Sequence, residues 1–231
     1  MTQTHLPLSP SGVNWVVVRD LAPLLRAEAD RAPGVVADVG CGVSPYRPLF
    51  SKAQSYLRVD QVSDDPEVIL ADALHLPFAP ASIDTILFFQ VLGDLPDIVA
   101  ELGELARVLA PGGRILIYES VAFPEHDLPH DFWRVMPQGL TWAAGAAGLK
   151  VETLVPLGGL FARLAILVNS QVFCRLRRYV LLRPLAAALI VANNFLCGAL
   201  DRLFLIRSSS PDYFACLTLA SPGDPSPKSP S

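Results

Sequence analysis

Short apolar runs alternate with amphipathic stretches across most of the chain. Seven runs have the length and the β-branched or aromatic content of buried strands: 35–39, 55–59, 68–71, 85–90, 114–119, 150–156 and 213–220. Apolar residues recur at helical spacing over 13–31, 97–109 and 137–147. The alternation predicts an α/β fold with a doubly wound, mostly parallel, seven-stranded sheet. Ligands of such sheets bind beyond the carboxyl ends of the strands.

A long apolar segment separates the last two predicted strands. Helices are predicted over 160–178 and 184–207, with a break at Arg183-Pro184. The longest stretch of the second helix without a charge, Pro184 to Leu200, has 17 residues. A span of the bilayer needs about 20 apolar residues. We therefore predict an inserted apolar helical pair before the last strand, and no transmembrane helix.

Charge changes the interpretation of this insertion. Residues 160–207 contain seven arginines and one acidic residue, Asp201, although the whole chain has a net charge of −4. Apolar helices rich in arginine are typical of an anionic membrane surface. A protein cap or a homodimer interface explains the hydrophobicity equally well, and both alternatives stay open.

Composition limits the class of protein. The chain is 52% hydrophobic and 17% charged, with a mean hydropathy of +0.40, and is therefore more apolar than an ordinary soluble domain. The acidic remainder argues against a nucleic-acid partner, which requires clustered cations. The four cysteines have no CxxC spacing, so neither a metal site nor a disulfide framework is predicted. Because no secretory signal is recognisable at the amino terminus, we expect a cytoplasmic protein. It would be peripheral on the inner membrane face if 160–207 contacts lipid.

These patterns together predict five segments. They are a helical lead-in (1–34), a core (35–159), the inserted basic helices (160–207), the final strand of the core (208–220) and a disordered Pro/Ser-rich tail (221–231).

Acidic residues and glycines follow three consecutive predicted strands. Asp38-Val39-Gly40-Cys41-Gly42 ends the first strand, where glycines allow a tight turn and close approach of a ligand. Asp60 ends the second strand, where a carboxylate can accept hydrogen bonds from both hydroxyls of a ribose. Asp72 follows the third strand, where it can accept from an adenine amino group while the next backbone amides meet the ring. The third glycine of a dinucleotide fingerprint is absent, which disfavours NAD and FAD.

Residues Val35 to Glu119 resemble the class I S-adenosylmethionine (SAM)-dependent methyltransferase superfamily, and especially its methyltransferase type 11 group. The matching pieces are Asp38–Gly42, Leu57–Asp60, Ala71–Phe78, Ile83–Leu92 and Arg107–Leu116. Five ordered segments are more specific than any one of them. The resemblance implies a Rossmann-like methyltransferase fold and SAM as the cofactor.

The resemblance also implies residue roles at the cofactor site. Gly40 and Gly42, which follow Asp38, would pack against the methionine part of SAM, and Asp60 would hold the ribose. Asp72 and the backbone of Ala73 would meet the adenine. At the end of the fourth strand, Phe89 and Gln90 would border the amino-acid moiety and the transferred methyl.

One departure affects the chemistry. Many relatives have Glu-His after the fourth strand, where this chain has Gly93-Asp94. A role for that histidine is therefore not transferable. The Pro111-Gly112-Gly113 turn resembles the turn before the fifth strand in the family, and we expect it to be structural.

The acceptor side offers few candidates for a general base. His130 lies in a segment after the fifth strand that would cover the methyl-bearing end of the cofactor, and it is the candidate base for a hydroxyl acceptor. Asp131 and Arg134 are expected to form a structural ion pair or cap. Glu119 is interpreted either as an acceptor contact or as a solvent-facing acid.

The functional hypothesis is methyl transfer to a small-molecule or lipid-linked acceptor, with O-methylation slightly favoured. The alternative is a non-catalytic protein with the methyltransferase fold that serves as a membrane-associated binding partner.

Overall fold

The computed structural model describes residues 9–121, 123, 125, 128–176, 178–203 and 215–222. The chain divides into two compact units. A sheet unit contains the described residues of 29–119, 127–155 and 217–231, and a helical unit contains those of 1–28, 120–126 and 156–216. His126, Asp127, Arg177, Arg207 and Tyr213, which carry parts of the sequence predictions, lie outside the described residues.

A single sheet organises the chain. Its strands are β1 (Val35–Val39), β2 (Ser55–Asp60), β3 (Val68–Leu70), β4 (Ile83–Phe89), β5 (Leu109–Ser120), β6 (Leu149–Leu157) and β7 (Ala215–Pro222). The spatial order is β3-β2-β1-β4-β5-β7-β6. The helices are α1 (Trp15–Ala29), α2 (Ile98–Val108), α3 (Pro137–Ala146), α4 (Leu160–Leu176) and α5 (Arg183–Leu203). Short 3₁₀ helices cover Arg47–Phe50, Leu92–Asp94 and Val180–Leu182.

The direction of the winding reverses between β1 and β4. From β1 the chain proceeds outward through β2 to β3, then returns to place β4 on the other side of β1 and β5 beyond it. The pairings of β1 with β2, β1 with β4, β2 with β3 and β4 with β5 are parallel. The prediction of a doubly wound parallel sheet is confirmed. Strands β1 and β4 are buried over most of their length, which explains their nearly continuous apolar sequences.

Helix α2 begins at a clear sequence signal. The Asp97 side chain caps it by accepting from the backbone N–H of Ala100 at 3.0 Å. Leu102 and Leu105 lie on its buried face in the main core cluster. Strand β5 starts at Leu109, earlier than predicted, because it includes the Pro111-Gly112-Gly113 turn. At this turn the register of the pairing between β5 and β4 shifts.

A network of asparagines holds the helical unit together. The Asn169 amide of α4 donates to Asn194 Oδ1 of α5 at 2.8 Å and to the Val13 carbonyl at 3.1 Å. Asn194 in turn donates to the carbonyls of Pro10 and Gly12. Both asparagines are fully buried, so these bonds compensate the cost of removing their amides from water.

A second polar contact joins the end of α5 to the start of α4. The Asp201 carboxylate accepts from the backbone N–H groups of Phe161 and Ala162 at 3.0 and 2.8 Å. It therefore serves the first turn of α4, where amide groups lack helical partners and a negative charge is favoured.

The segment Val180–Leu203 bears on the prediction that no helix spans a membrane. It is a helix of 24 residues whose most apolar window has a mean hydropathy of 1.7 and is 22% buried. By length and composition alone it is sufficient to cross a membrane, whereas the charge-free stretch used for the sequence prediction was not. The sequence prediction counted only the residues between Arg183 and Asp201, and it stays a prediction. Core helices of soluble proteins pass the same test, so the finding is weak evidence of a span.

Glu101 is an ionisable side chain buried in the sheet unit. It is 0% exposed on the inner face of α2, and neither carboxylate oxygen has a hydrogen-bond partner. Burial, followed by the charges of Asp72 and Asp97, raises its pKa from 4.5 to about 7. The folded protein therefore binds this proton more tightly than the unfolded chain does.

Stability should consequently fall as the pH rises. The loss begins above the unfolded pKa near 4.5, grows up to the folded pKa of about 7 and is then constant. We expect Glu101→Gln to exceed the wild type by about 1–3 kcal/mol in unfolding free energy at pH 8, and to match it near pH 5. Urea unfolding at both pH values measures this. A variant that is less stable at pH 8 would contradict an unpaired, buried carboxylate.

Candidate cofactor and acceptor site

The loops after β1 and β4 meet where the winding of the sheet reverses. Gly40 has φ +70°, and its N–H and that of Cys41 donate to the Val59 carbonyl at 2.9 and 3.0 Å. A Cβ added to Gly40 would lie 2.3 Å from a methyl carbon of Val91, in the loop after β4. Gly40 is therefore required both by its left-handed backbone and by close contact between the two loops.

Gly42 has a different environment. Its φ is +50°, and a Cβ placed on it would have no atom within 4 Å. Its N–H donates to Asp60 Oδ2 at 2.8 Å, so the carboxylate at the end of β2 fixes the loop after β1. The space beside Gly42 and the half-buried Asp60 together form a cradle with an open side.

Asp38 lies inside β1, two residues before Gly40. Its carboxylate is 4% exposed and accepts from the Tyr56 hydroxyl at 2.8 Å. Burial raises its pKa to about 7, against the opposing hydrogen bonds from Tyr56 and Ser44. The sequence analysis did not single out Tyr56, because only the parallel register of β1 and β2 brings it to Asp38.

The loop after β3 carries Asp72 and Ala73. Asp72 is exposed, and its Oδ1 accepts from the backbone N–H of Leu74 at 3.0 Å. Ala73 is 7% exposed and packs into the core cluster. Asp60 and Asp72 are close along the same sheet edge, since Gln61 reaches Asp72 and the Ala71 N–H donates to the Asp60 carbonyl.

Two charged residues of α2 fasten the far end of this loop. Glu104 accepts from the Leu76 N–H at 2.8 Å and pairs with Arg107. Arg107 donates to the carbonyls of Phe78 and Leu76 at 3.0 and 3.2 Å. The sequence analysis missed this role of Glu104 and Arg107, which is to position the loop that presents Asp72.

Phe89 and Gln90 end β4 at the reversal point. The Phe89 ring contacts Tyr46 edge-on, at 5.2 Å between centroids. Gln90 is exposed and has φ +56°, an unusual backbone for a residue with a side chain. Such strain is often found at functional sites.

Glu119, at the end of β5, holds the loop that follows β4. Its Oε1 accepts from the N–H groups of Val91 and Leu92 at 2.8 and 2.9 Å, and the residue is 6% exposed. The interpretation of Glu119 as a solvent-facing acid is wrong, because the loop after β4 turns back over it. Whether it also contacts the acceptor stays a prediction.

The segment after β5 docks on that same loop. The Gly93 carbonyl accepts from the N–H groups of Phe132 and Trp133, and Trp133 Nε1 donates to the Leu95 carbonyl at 3.0 Å. The predicted ion pair between Asp131 and Arg134 is present, with Arg134 Nη2 donating to Asp131 Oδ2 at 2.9 Å. Gly93 is therefore the point at which this segment contacts the loop after β4.

His130 lies in the turn that precedes this docked segment, and its side chain is exposed. Two residues after it, the N–H of Phe132 is hydrogen-bonded to the loop after β4. Its role as general base stays a prediction, as do the individual roles of Asp38, Gly40, Gly42, Asp60, Asp72, Ala73, Phe89 and Gln90 toward the cofactor.

Comparison with known proteins identifies the domain that contains this site. Residues 37–117 match the family described as methyltransferase domain. This part of the chain is a class I, SAM-dependent methyltransferase domain. The matched range runs from β1 into β5 and contains the glycine loop, Asp60, Asp72 and the end of β4.

Curated relatives align over part of their length. The demethylmenaquinone methyltransferase of Lactiplantibacillus plantarum is 32% identical over 134 residues, which are 58% of this chain and 54% of that protein. The probable tRNA methyltransferase 9B of Mus musculus is 34% identical over 101 residues, 38% of this chain and 22% of that protein. The chain therefore spans about half or less of these relatives.

Among solved structures, the cyclase SpnF is similar over 88% of this chain and 81% of its own, with a TM-score of 0.59 and 18% identity. At this identity the likeness shows the fold alone. It extends beyond the matched family range.

The residues of the methyltransferase domain fit SAM. The open space beside Gly42 can admit the methionine part, and a carboxylate at each of two neighbouring strand ends can accept from ribose hydroxyls and an adenine amino group. The buried carboxyl of Asp38 adds a group that can become negative beside a cationic ligand.

The two glycines should respond differently to the same substitution. Gly40→Ala introduces a left-handed alanine and a clash with Val91, so we expect a loss of about 2–4 kcal/mol in unfolding free energy. Gly42→Ala has room for its methyl and should cost only about 1–2 kcal/mol, for the backbone alone. Its methyl fills the cradle, however, so the thermal stabilisation by SAM should be lost.

Thermal unfolding with and without SAM measures both effects, with each variant serving as the control of the other. Normal stabilisation of Gly42→Ala by SAM would show that the space beside Gly42 does not hold the cofactor.

Proposed function

We propose that this protein transfers the methyl group of SAM to an apolar small-molecule or lipid-linked acceptor, with oxygen slightly favoured as the methylated atom. The observation that carries the proposal is the segment after β5 that docks on the loop after β4 through Phe132 and Trp133. It carries four exposed apolar side chains: Leu128, Phe132, Trp133 and Met136. Apolar surface of this kind at a ligand site favours an apolar ligand.

The named relatives suggest two acceptor classes. One relative is a demethylmenaquinone methyltransferase, whose name indicates an apolar quinone, and another is a probable tRNA methyltransferase. RNA binding requires clustered cations, whereas this site presents Asp60 and Asp72 with exposed apolar side chains. The quinone-like class therefore fits the charge and surface of this site better.

The chemistry divides between cofactor and protein. SAM supplies an electrophilic methyl group on a sulfonium. The protein positions the reactants: Asp60 and the cradle beside Gly42 hold one side of the site, and the docked segment 131–134 holds the other. Orientation and exclusion of water are the main contributions of such a site to the rate.

A hydroxyl acceptor must also lose its proton. His130 is the proposed base because it is exposed and precedes the docked Phe132 by two residues. Glu119 is the less suitable candidate, since its Oε1 already accepts from two backbone N–H groups.

Asp60 provides a direct test of the cofactor site. Asp60→Ala should lower SAM affinity by about 1.5–3 kcal/mol, the value of a charge-assisted hydrogen-bonding partner. Asp60→Asn should lose less, because its amide oxygen can still accept from the Gly42 N–H and hold the loop. Isothermal calorimetry gives the affinities, and unfolding without ligand checks that the variants are folded. Unchanged affinity in both folded variants would remove Asp60 from the site.

The transfer itself can be tested with a short-chain demethylmenaquinol and a simple phenol as acceptors. We expect S-adenosylhomocysteine to form faster with the apolar quinol, and Phe132→Ala to raise its KM about tenfold through loss of apolar contact. Trp142→Ala is the matched control, since Trp142 is 71% exposed on α3 and should leave KM unchanged. Nuclear magnetic resonance of the product distinguishes a methylated oxygen from a methylated carbon.

The alternative of a non-catalytic protein predicts another result. SAM would then bind with normal affinity while neither acceptor is methylated, and Phe132→Ala would alter no reaction. The substitution of Glu-His by Gly93-Asp94 motivates this alternative.

A further inference from the structure

The turn between α4 and α5 exposes apolar side chains that the helical unit does not cover. All eight residues of the hairpin tip, 178–185, are exposed, and Leu181 and Val180 are 92% and 67% exposed. Single exposed apolar residues are common on soluble proteins, but a contiguous set indicates a contact surface.

The side chains of the tip do not belong to the packed interface between α4 and α5. The inner face of the hairpin is closed by Ala162, Ala165 and Ile166 of α4 and by Ala186 and Ile190 of α5, all of them buried. The exposed apolar side of α4 continues toward the tip along an open groove formed by Leu167, Val168, Gln171, Val172, Arg175 and Leu176.

Arginines surround the apolar tip. Arg175, Arg178 and Arg183 are exposed, and the Arg178 guanidinium lies 4.8 Å from the centre of the Tyr179 ring. Residues 153–200 contain no Asp or Glu. Arginine with a tyrosine beside exposed leucines suits the boundary of a bilayer, where aromatic rings and cationic groups lie at the level of the head groups.

This charge distribution favours lipid over a second copy of the chain as the partner of the tip. A symmetric dimer through the tip would bring identical surfaces together, and with them the arginines of both copies. Repulsion would oppose that contact, whereas an anionic lipid surface attracts each arginine.

The polar network limits how deeply the hairpin can enter lipid. Asn194, near the middle of α5, is bonded to the carbonyls of Pro10 and Gly12, and Asp201 caps α4. Crossing the bilayer would break these bonds in a medium without water. The part of α5 that precedes Asn193 is about 15 Å long at 1.5 Å per residue. This is half the thickness of the hydrocarbon core.

We propose that the hairpin tip, residues 178–185, is a peripheral membrane anchor that inserts Val180, Leu181 and Leu182 into an anionic lipid surface. Arg175, Arg178 and Arg183 bind the head groups around the inserted residues. This inference does not depend on the proposed reaction.

The test uses the full chain and vesicles of phosphatidylcholine with and without phosphatidylglycerol. Sedimentation should show binding to the mixed vesicles that weakens as salt increases. Each of Arg175→Gln, Arg178→Gln and Arg183→Gln should lower binding about fivefold, and Val180→Ser/Leu181→Ser at least tenfold. The matched control is Val62→Ser/Trp142→Ser, which removes two exposed apolar side chains of the sheet unit and should bind as the wild type does.

Three outcomes would overturn the anchor. Normal vesicle binding by Val180→Ser/Leu181→Ser would place the lipid contact elsewhere. Absence of binding by the wild type, together with a dimer that Leu181→Ser dissociates, would make the tip a protein interface. Retention of the wild type in cell membranes after alkaline carbonate washing would indicate that α5 spans the bilayer.

Discussion

Parallel pairing of β1 with both β2 and β4 is the constraint on which the rest of the site depends. The sheet continues through β2 and β3 on one side of β1 and through β4 and β5 on the other. The loops after β1 and β4 lie next to each other at this point of reversal, where Gly40 closely approaches Val91. The reversal opens a crevice at one sheet edge without any special residue to create it. What the sequence adds is a set of carboxylates at the ends of the strands that border it.

Those carboxylates position the loops that follow the strands. Asp60 binds the glycine loop through the Gly42 N–H, and Glu119 binds the loop after β4 through two N–H groups. Glu104 and Arg107 do the same for the loop after β3. Backbone amides that would otherwise lie unsatisfied in loops thus become the means by which loops are positioned. A cofactor site preorganised in this way requires little rearrangement on binding.

The helical unit follows the opposite arrangement. Its polar contacts are inside, in the Asn169–Asn194 network, and much of its apolar surface is outside, at residues 178–185 and along α4. Buried amides fix one packing of the hairpin, because any other packing would leave them unsatisfied. A hairpin specified by its polar interior is free to carry an apolar exterior for another contact.

The sequence by itself determined most of the strands, the doubly wound parallel class of the sheet and the strand-end residues. Buried parallel strands and amphipathic helices have distinct periods, and Asp38, Asp60 and Asp72 stand at the ends of short apolar runs, where a parallel sheet brings strand ends to one edge. Tertiary structure alone decided the partners. Tyr56 reaches Asp38 only through strand register, Arg107 reaches the loop after β3 across 29 residues, and Glu119 is buried because the loop after β4 folds over it. Periodicity records which face of an element is buried, but it contains no information about which distant side chain or backbone amide lies opposite.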